Sequence, residues 1–230
     1  MTKIFCDIAD IKLIRKFNKK KLVRGFTTNP SLMRKAGAKD YKSYSKQILK
    51  ITSKPVSCEV FSDDIKGMIY QGLKISKWGR NVYVKVPVVN SKGKFMGQVI
   101  NELNRKKIKL NITAVYTAKQ TKQILNQINK KTKVIISIFV GRMSDAGKDP
   151  LPQIKDSIKL AKKFKNVEIL WASTREPYNY LQAKKLNCQI ITIPPSIIEK
   201  IEKFGKGFQE LTSDTVKGFL IDSRKSNFKF

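Results

Sequence analysis

The 230-residue chain contains no histidine. Histidine is the side chain that most often transfers protons near neutral pH, and it is the commonest zinc ligand. Any proton transfer must therefore use carboxylates, hydroxyls, lysine or water. Only three cysteines are present, and they lack close metal-ligand spacing. Cys6, Cys58 and Cys188 are therefore typical of reduced cytosolic thiols rather than of a disulfide framework or a metal site.

Long apolar runs are also missing from the chain. None approaches the roughly 20 residues that span a bilayer. The N-terminal stretch MTKIFCDIADIK lacks the uninterrupted apolar segment of a secretory signal. We therefore expect a cytoplasmic protein with no membrane partner.

Acidic residues are scarce, since 17 Asp and Glu stand against 48 Lys and Arg, giving a formal net charge of +31. Such an excess suggests a nucleic-acid partner. The lysines, however, are spread through nearly every segment, with no dense basic tail and no basic–aromatic motif. Many lie in stretches with a helical pattern, such as 118–131. We therefore expect no specific nucleic-acid function, and at most weak, non-specific binding to polyanions.

Eight short apolar runs rich in β-branched residues alternate with amphipathic stretches. Their length and composition fit buried parallel strands. Eight strand–helix units predict an α/β fold, a single (β/α)8 TIM barrel over residues 1–207, with an extra helix and tail over 208–230. An open doubly wound sheet is the alternative, but its glycine fingerprint is missing after the first strand. The eight runs are 3–9, 23–29, 56–61, 82–88, 110–116, 134–140, 167–173 and 188–194.

The helical patterns lie between these runs. Ser62-Asp63-Asp64 and Asp149-Pro150 are plausible helix starts, because short polar side chains cap helices and proline is tolerated in the first turn. We expect helices over 45–54, 62–79, 156–165 and, as the eighth barrel helix, about 196–204.

The run VYVKVPV (82–88) places a lysine, Lys85, among apolar residues. Lysine is seldom buried unless it is paired, and a buried lysine escapes most of the desolvation cost when its amine becomes neutral. A neutral amine in a dry pocket is a nucleophile suited to Schiff-base formation with a carbonyl. The alternative is an ordinary lysine on an edge strand of a lysine-rich chain.

Polar residues mark the ends of most of the predicted strands. The active sites of TIM barrels lie at the C-terminal ends of the strands, so these side chains are expected to surround one pocket. A single polar residue at such a place is usually a cap or a satisfied core group. The same feature in seven of eight strands favours a polar ring around Lys85. Its members are Asp7, Asn29, Glu59, Lys85, Asn111 with Thr113, Ser137 and Ser173.

These residues and their surroundings resemble those of the transaldolase family, specifically its short single-domain branch that also contains fructose-6-phosphate aldolase. The resemblance covers almost the whole chain and implies a (β/α)8 barrel that uses a metal-free, cofactor-free class I Schiff-base mechanism on sugar phosphates. It is carried by FCDIAD (5–10), GFTTNPSL (25–32), VKVP (84–87), NITAVY (111–116), FVGR (139–142), WASTR (171–175) and ITIPP (191–195).

The resemblance also implies the site residues. Lys85 would form the Schiff base, Asp7 would accept the C4 hydroxyl proton, and Glu59 and Thr113 would hold the water that shuttles protons during imine formation. Substrate would be bound by further residues, with the last three holding the phosphate. These are Thr28, Asn29, Asn111, Ser137, Phe139, Arg142, Ser173 and Arg175.

The pair Glu59 and Phe139 distinguishes the branches of the family. The aldolase branch has glutamine and tyrosine there, and a tyrosine hydroxyl near the imine can position a hydrolytic water. The resemblance therefore implies a transaldolase that transfers dihydroxyacetone from sedoheptulose 7-phosphate or fructose 6-phosphate in the pentose phosphate pathway. The alternatives are a fructose-6-phosphate aldolase-type lyase and, in a different class, a polyanion-binding barrel without catalysis. The sequence departs from the commoner family pattern at Ile138, Val89-Asn90 and Glu176-Pro177, which leaves the preference for the acceptor sugar open.

The segment 208–230 is surplus to the barrel. Val216, Phe219 and Leu220 have the spacing of a one-sided helix, and the chain ends in a basic tail with two phenylalanines. In the short branch of the family the comparable tail packs on a neighbouring subunit. The resemblance therefore implies a homo-oligomer, a pentamer or a decamer of two stacked pentamers.

Overall fold

The computed structural model describes residues 1–226, in which eight strands alternate with helices. The strands are β1 (Lys3–Asp7), β2 (Val23–Thr27), β3 (Val56–Glu59), β4 (Val82–Pro87), β5 (Leu110–Val115), β6 (Val134–Ile138), β7 (Val167–Trp171) and β8 (Ile190–Ile193). The helices are α1 (Ile11–Asn18), α2 (Pro30–Lys35), α3 (Tyr41–Ile51), α4 (Ile65–Ser76), α5 (Gly97–Arg105), α6 (Ala118–Leu125), α7 (Val140–Asp145), α8 (Leu151–Ala161), α9 (Tyr178–Lys185), α10 (Pro195–Ile201) and α11 (Phe208–Ser226).

The eight strands are all parallel and close into a barrel in chain order, with β1 pairing to β8. The expected (β/α)8 barrel with an additional C-terminal helix is confirmed, and the open doubly wound sheet is excluded. Strand β4 pairs with β3 on one side and β5 on the other. Lys85 therefore does not lie on an edge strand.

The barrel strands have two apolar faces. Val82, Val84 and Val86 of β4 belong to the large core between the strands and the surrounding helices. Tyr83 belongs to a smaller cluster inside the barrel, which is formed by Phe5, Tyr83, Ile135, Leu170, Ala172 and Ile190. Because side chains alternate along a strand, Lys85 shares the interior face with Tyr83.

A glycine makes room for one ring of this interior cluster. Gly25 pairs with Phe5 across β1 and β2. A Cβ atom at position 25 would lie 2.6 Å from the Phe5 ring. The barrel interior can therefore hold the phenylalanine only because position 25 has no side chain.

Helix boundaries follow the local capping groups. Asp64 caps α4 by accepting from the Gly67 N–H at 2.8 Å, and Asp149 accepts from the Leu151 N–H at 2.9 Å at the start of α8, so both expected starts are confirmed. The expected helix over 45–54 begins earlier, because Asp40 accepts from the Ser43 N–H. The pattern over 118–131 breaks after α6, where Asn129 forms a turn by accepting from two following backbone N–H groups.

Closure separates the connecting segments into two sets. The loops that lead from a helix into strands β2 to β8 all lie at the N-terminal end of the barrel. They are 19–22, 52–55, 77–81, 106–109, 126–133, 162–166 and 186–189. The segments that follow the strands lie at the opposite, C-terminal end.

Helix α11 follows the eighth strand–helix unit, and none of its residues is buried. Phe208, Val216 and Phe219 are 90%, 58% and 69% exposed. The end of the predicted tail falls on residues 227–230, which lie outside the described residues. No helix among residues 1–226 combines the length and the apolar character that a membrane crossing requires.

Candidate active site

A cavity of about 220 Å³ opens at the C-terminal end of the barrel. Side chains from or just after seven of the strands line it, which is the position that the strand-end polar residues predict. Most of its lining is polar. The lining residues are Asp7, Thr27, Asn29, Lys85, Asn111, Thr113, Ser137, Phe139, Arg142, Leu170, Ala172, Ser173, Arg175 and Thr192.

Lys85 is buried in this cavity, with 8% of the residue exposed. Its Nζ donates to Glu59 Oε2 at 3.2 Å and to the backbone carbonyl of Thr28 at 3.2 Å. The pairing with Glu59 offsets part of the cost of burying an ammonium group. The amine therefore has defined partners and at the same time faces the cavity.

Asp7 lies at the end of β1, beside Thr27 in the register. The Thr27 hydroxyl donates to Asp7 Oδ1 at 2.7 Å, and it also lies within hydrogen-bond distance of the Thr192 hydroxyl. Burial raises the pKa of Asp7 above its ordinary value, against the opposing effects of the Thr27 hydrogen bond and the nearby Lys85 charge. A carboxylate with a raised pKa is a stronger base, which suits a group that must accept a proton.

The backbone of Glu59 is hydrogen-bonded to the Tyr41 side chain. The Tyr41 hydroxyl accepts from the Glu59 backbone N–H at 2.7 Å and donates to the Glu59 carbonyl at 3.1 Å. Glu59 does not line the main cavity, but its carboxylate reaches Lys85. The structure therefore places Glu59 next to the amine rather than across the cavity from it.

Three polar side chains form a connected row across strands β3, β5 and β6. Asn111 donates through Nδ2 to Ser57 Oγ at 2.9 Å and accepts at Oδ1 from the Ser137 hydroxyl at 2.7 Å. This network fixes the orientation of the Asn111 amide. Nearby, the Thr113 hydroxyl is buried and has no hydrogen-bond partner among residues 1–226, although Thr113 lines the cavity. Because buried hydroxyls are normally hydrogen-bonded, Thr113 offers a bond to a group bound in the cavity.

The cationic side of the cavity is assembled by a close contact between α7 and the segment after β7. A Cβ atom on Gly141 would lie 1.7 Å from the Ser173 carbonyl oxygen, so only glycine allows this approach. Ser173 itself has φ +66°, in the left-handed region that non-glycine residues seldom adopt. The contact brings Arg142, Ser173 and Arg175 onto one side of the cavity.

The two arginines have different surroundings. The Arg142 guanidinium lies over the Phe139 ring, 5.2 Å from its centroid. Arg175 donates through Nε to both Asp145 carboxylate oxygens at 3.0 Å, and its NH2 group also contacts Asp145. Asp145 therefore holds the Arg175 fork in place and lowers the local positive charge.

Two further residues expected to bind substrate, Asn29 and Thr28, use side-chain oxygen or hydroxyl groups to stabilise the surrounding backbone. Asn29 lines the cavity, but its Oδ1 caps α2 by accepting from the Leu32 N–H at 2.9 Å. The Thr28 side chain does not enter the cavity, since its hydroxyl donates to the Ser57 carbonyl at 2.7 Å. Thr28 contributes its own carbonyl to Lys85 instead.

Sequence reasoning missed several residues that the structure brings to the site. Thr27 donates to Asp7, and Thr192 lies within hydrogen-bond distance of Thr27. Tyr41 bonds to the Glu59 backbone, and Asp145 accepts from Arg175. Thr27 and Thr192 belong to the quoted motifs GFTTNPSL and ITIPP, so the signal was present. Tyr41 and Asp145 lie on helices and carried no recognisable pattern.

The three buried thiols are poor nucleophiles and would not replace Lys85 in that role. Burial raises the pKa of Cys6, Cys58 and Cys188 above the ordinary value, to about 12 for the latter two, so these thiols stay protonated near neutral pH. Residues 1–226 contain no group of three or more His, Cys, Asp or Glu side chains placed to bind a metal ion.

Comparisons with solved structures show the barrel fold. Orotidine 5'-monophosphate decarboxylase from Metallosphaera sedula superposes with a TM-score of 0.54 at 13% identity, covering 88% of this chain and 96% of that one. KGPDC from Streptococcus mutans superposes with a TM-score of 0.53 at 10% identity, covering 84% of this chain and 88% of that one.

Sequence comparisons are more specific. A probable transaldolase from Thermoanaerobacter sp. (strain X514) is 33% identical over 228 residues, which are 99% of each chain. A probable transaldolase from Nitrosopumilus maritimus (strain SCM1) is 34% identical over 225 residues, covering 97% of this chain and 95% of the relative. The family model described as transaldolase/fructose-6-phosphate aldolase matches residues 4–229. This chain therefore belongs to the transaldolase/fructose-6-phosphate aldolase family.

Proposed function

We propose that this protein is a class I transaldolase that transfers a dihydroxyacetone unit from sedoheptulose 7-phosphate or fructose 6-phosphate to an aldose phosphate. The observation that carries the proposal is the buried amine of Lys85, which faces a polar cavity together with the carboxylate of Asp7. Family membership fits this reaction, and the same family includes the lyase alternative.

The first step is imine formation on Lys85. Once a proton has passed from Nζ to Glu59, the amine attacks the C2 carbonyl of the ketose to give a carbinolamine, which loses its hydroxyl group as water when that proton is supplied. Glu59 Oε2 lies 3.2 Å from Nζ, within reach of the proton leaving the nitrogen, and a water links its carboxylate to the hydroxyl leaving C2. The free hydroxyl of Thr113 binds the water that carries the proton between them.

Asp7 acts in the second step, the cleavage of the C3–C4 bond. It removes the C4 hydroxyl proton, the C3–C4 electron pair moves into the iminium group, and the aldose phosphate leaves as an aldehyde. The product on Lys85 is a neutral enamine. When the acceptor aldehyde enters, the enamine carbon attacks it and Asp7 returns the proton to the new hydroxyl oxygen. Hydrolysis of the imine then releases the new ketose.

The enamine must survive between these two aldehydes. In this proposal the dihydroxyacetone hydroxyls are held by Asn111, which is oriented by its bonds to Ser57 and Ser137, and by the Nδ2 group of Asn29, which lines the cavity. Phe139 faces the cavity without a hydroxyl that could direct water to the imine. The lack of a hydroxyl at position 139 favours transfer over hydrolytic release.

The phosphate is held by Arg142, Ser173 and Arg175 on one side of the cavity. Guanidinium forks match phosphate oxygens geometrically. Since Asp145 already occupies the Arg175 fork, a bound phosphate either shares that guanidinium or replaces the carboxylate.

The identity of the nucleophile is tested with Lys85→Met. Incubation with fructose 6-phosphate and borohydride should give a reduced adduct on the wild-type protein, located at Lys85 by peptide mass mapping, and no adduct on the variant. Lys109→Met is the matched control, because Lys109 is a half-buried lysine at the other end of the barrel. An adduct on any other lysine in the wild-type protein contradicts the assignment.

The role of Asp7 is tested through pH. Asp7 acts as an ionised base, so activity should fall on the acid side, and the raised pKa places this fall above the pH expected for an ordinary aspartate. Thr27→Val removes a hydrogen bond that lowers the pKa of Asp7, and should move the acid side of the kcat profile to higher pH.

Thr28→Val is the control for this measurement, because the Thr28 hydroxyl bonds to the Ser57 carbonyl outside the cavity. Its pH profile should match the wild type. Asp7→Asn should still give a trapped imine but no carbon–carbon cleavage. Identical profiles for Thr27→Val and the wild type would show that Asp7 is not the base.

The phosphate site is tested with Arg175→Ala and Arg142→Ala. Loss of a charge-assisted hydrogen bond costs roughly 1.5–3 kcal/mol, so KM for fructose 6-phosphate should rise about tenfold or more. KM for free dihydroxyacetone as donor should change little. Arg80→Ala, at the opposite end of the barrel, is the matched control. Equal losses on both donors would indicate a folding defect rather than a lost phosphate contact.

We further propose that copies of the chain assemble through α11 into a closed pentamer or a pair of stacked pentamers. The helix has no buried residue, yet it carries several exposed large apolar side chains, which need a surface to cover them. The net charge of +31 opposes association, so assembly should loosen at low ionic strength.

Light scattering measures this assembly directly. The full chain should form the oligomer at 0.15 M salt, whereas a chain ending at Gly207 and the single variant Phe219→Ser should shift toward the monomer. Gly218→Ala, which leaves the apolar side chains of α11 in place, is the control. A monomeric full chain at 0.15 M salt would refute the proposed assembly.

A further inference from the structure

The N-terminal end of the barrel carries an unusual distribution of charge. The seven loops that lead into strands β2 to β8 contain fifteen lysines and arginines and no aspartate or glutamate. Examples are Lys54, Arg80 and Lys109, each in a loop entering a different strand. We call these seven loops together the basic face. Chain order disperses these cations from residue 19 to residue 165, and only closure of the barrel brings them together.

The opposite end of the barrel is nearly balanced in charge. Outside helices and strands, its connecting segments carry five basic residues. They carry six acidic residues, Asp10, Asp40, Asp63, Asp64, Asp149 and Glu176. A lysine-rich composition alone would load both ends of the barrel equally. The difference in charge between the two ends therefore depends on where the loops lie in the barrel, and not only on the lysine-rich composition.

Most cations of the basic face lack an acidic partner. Within residues 1–226, ion pairs reach only two of the fifteen, Lys20 with Glu202 and Lys106 with Glu102. Lys54 and Lys109 are instead held by backbone carbonyls, those of Asn18 and Arg80 respectively. Burial and neighbouring cations lower the pKa of both lysines, which indicates that like charges lie close together here.

Two adjoining cavities open on the basic face and share Lys133. The first is lined by Lys50, Arg80 and Lys109 and by no acidic residue. The second is lined by six lysines, with Glu168 as its one acidic residue, and Glu168 is paired with Lys3. The face is thus concave in places, and its unpaired ammonium groups converge on the concave regions.

We propose that the basic face binds the phosphate backbone of duplex nucleic acid without reading its sequence. A surface with many unpaired cations and few acids matches a polymer that carries one negative charge per about 1.7 Å of axis. In a duplex the bases are stacked inside and the phosphates face outward, so binding needs no aromatic platform. None of the exposed large apolar side chains lies in the seven loops. The two aromatic side chains of these loops, Trp78 and Phe164, are half-buried, so the loops present no fully exposed platform for base stacking.

The same observation argues against an acidic membrane as the partner. Surface-bound membrane proteins combine basic residues with exposed apolar side chains that enter the lipid interface. At this end of the barrel, within the described part of the chain, the exposed large apolar side chains include Met1 and Phe204, which follows α10 close to the Lys20–Glu202 pair, and none lies in the seven loops themselves. Because the seven loops expose many cations and no mostly exposed large apolar side chain, they favour the nucleic-acid backbone over a lipid interface.

The test is a binding titration of the full-length protein with a fluorescein-labelled 20-base-pair DNA duplex, read by anisotropy over 0.05–0.3 M salt. The triple variant K131E/K133E/K165E reverses three exposed lysines of the basic face. Each lost phosphate contact removes about 0.9 from the slope of log K against log salt, so the slope should fall by about 3. Affinity at 0.1 M salt should fall at least about tenfold.

The matched control is K39E/K92E/K148E, which makes the same change in net charge with three exposed lysines at the opposite end. None of them lines the candidate active site. This control should keep most of the affinity and slope, and both triple variants should still give the borohydride-trapped adduct. The binding result is thus separable from the proposed reaction.

Several results would overturn the proposal. Equal losses in the two triple variants would show attraction by net charge without a defined face. A several-fold preference between two duplexes of different sequence would show base reading. Tighter retention on phosphatidylserine vesicles than on duplex would make the face a membrane surface, and no binding of duplex at 0.05 M salt would exclude the proposal outright.

Discussion

Closure of an all-parallel sheet is the constraint on which this molecule depends. Parallel strands in a closed barrel place every strand end at one end of the molecule and every strand start at the other. Residues that are far apart in sequence, such as Asp7, Lys85 and Ser173, therefore line one cavity. The same geometry collects the seven basic loops on the far face. Chemistry and surface charge are both consequences of strand direction.

Within the site, burial sets the chemistry of the charged groups. Lys85 is buried beside Glu59 and near Asp7, so two acids face one base in a small volume. Burial raises the pKa of Asp7, while the Thr27 hydroxyl and Lys85 oppose that rise. Glu59 instead contacts the amine directly and is held by Tyr41. Two carboxylates can take different roles when their environments differ in this way.

The sequence predicted the features that rest on a repeated pattern, and it did not predict those that rest on a single contact between residues. The eight apolar runs predicted the barrel, because their alternation with amphipathic helical stretches is visible in the residue types. The pair Thr27-Thr28 could not be resolved in the same way, since either hydroxyl could face the cavity. The register of β1 and β2 sets Thr27 beside Asp7. Asp145 was also invisible, because its partner Arg175 is distant in sequence and meets it only through the packing of α7 at Gly141.

The segregation of charge also bears on catalysis. If the net charge of +31 were spread evenly, the cavity would lie in a strong positive potential, and the phosphorylated products of the proposed reaction would leave slowly. The connecting segments at the catalytic end are nearly neutral, and Asp145 offsets Arg175 within the site. A strand of six residues is about 20 Å long, whereas the Debye length at physiological salt is about 8 Å. Through solvent, the basic face is therefore largely screened from the cavity, so the proposed polyanion site and the proposed sugar-phosphate site would not compete.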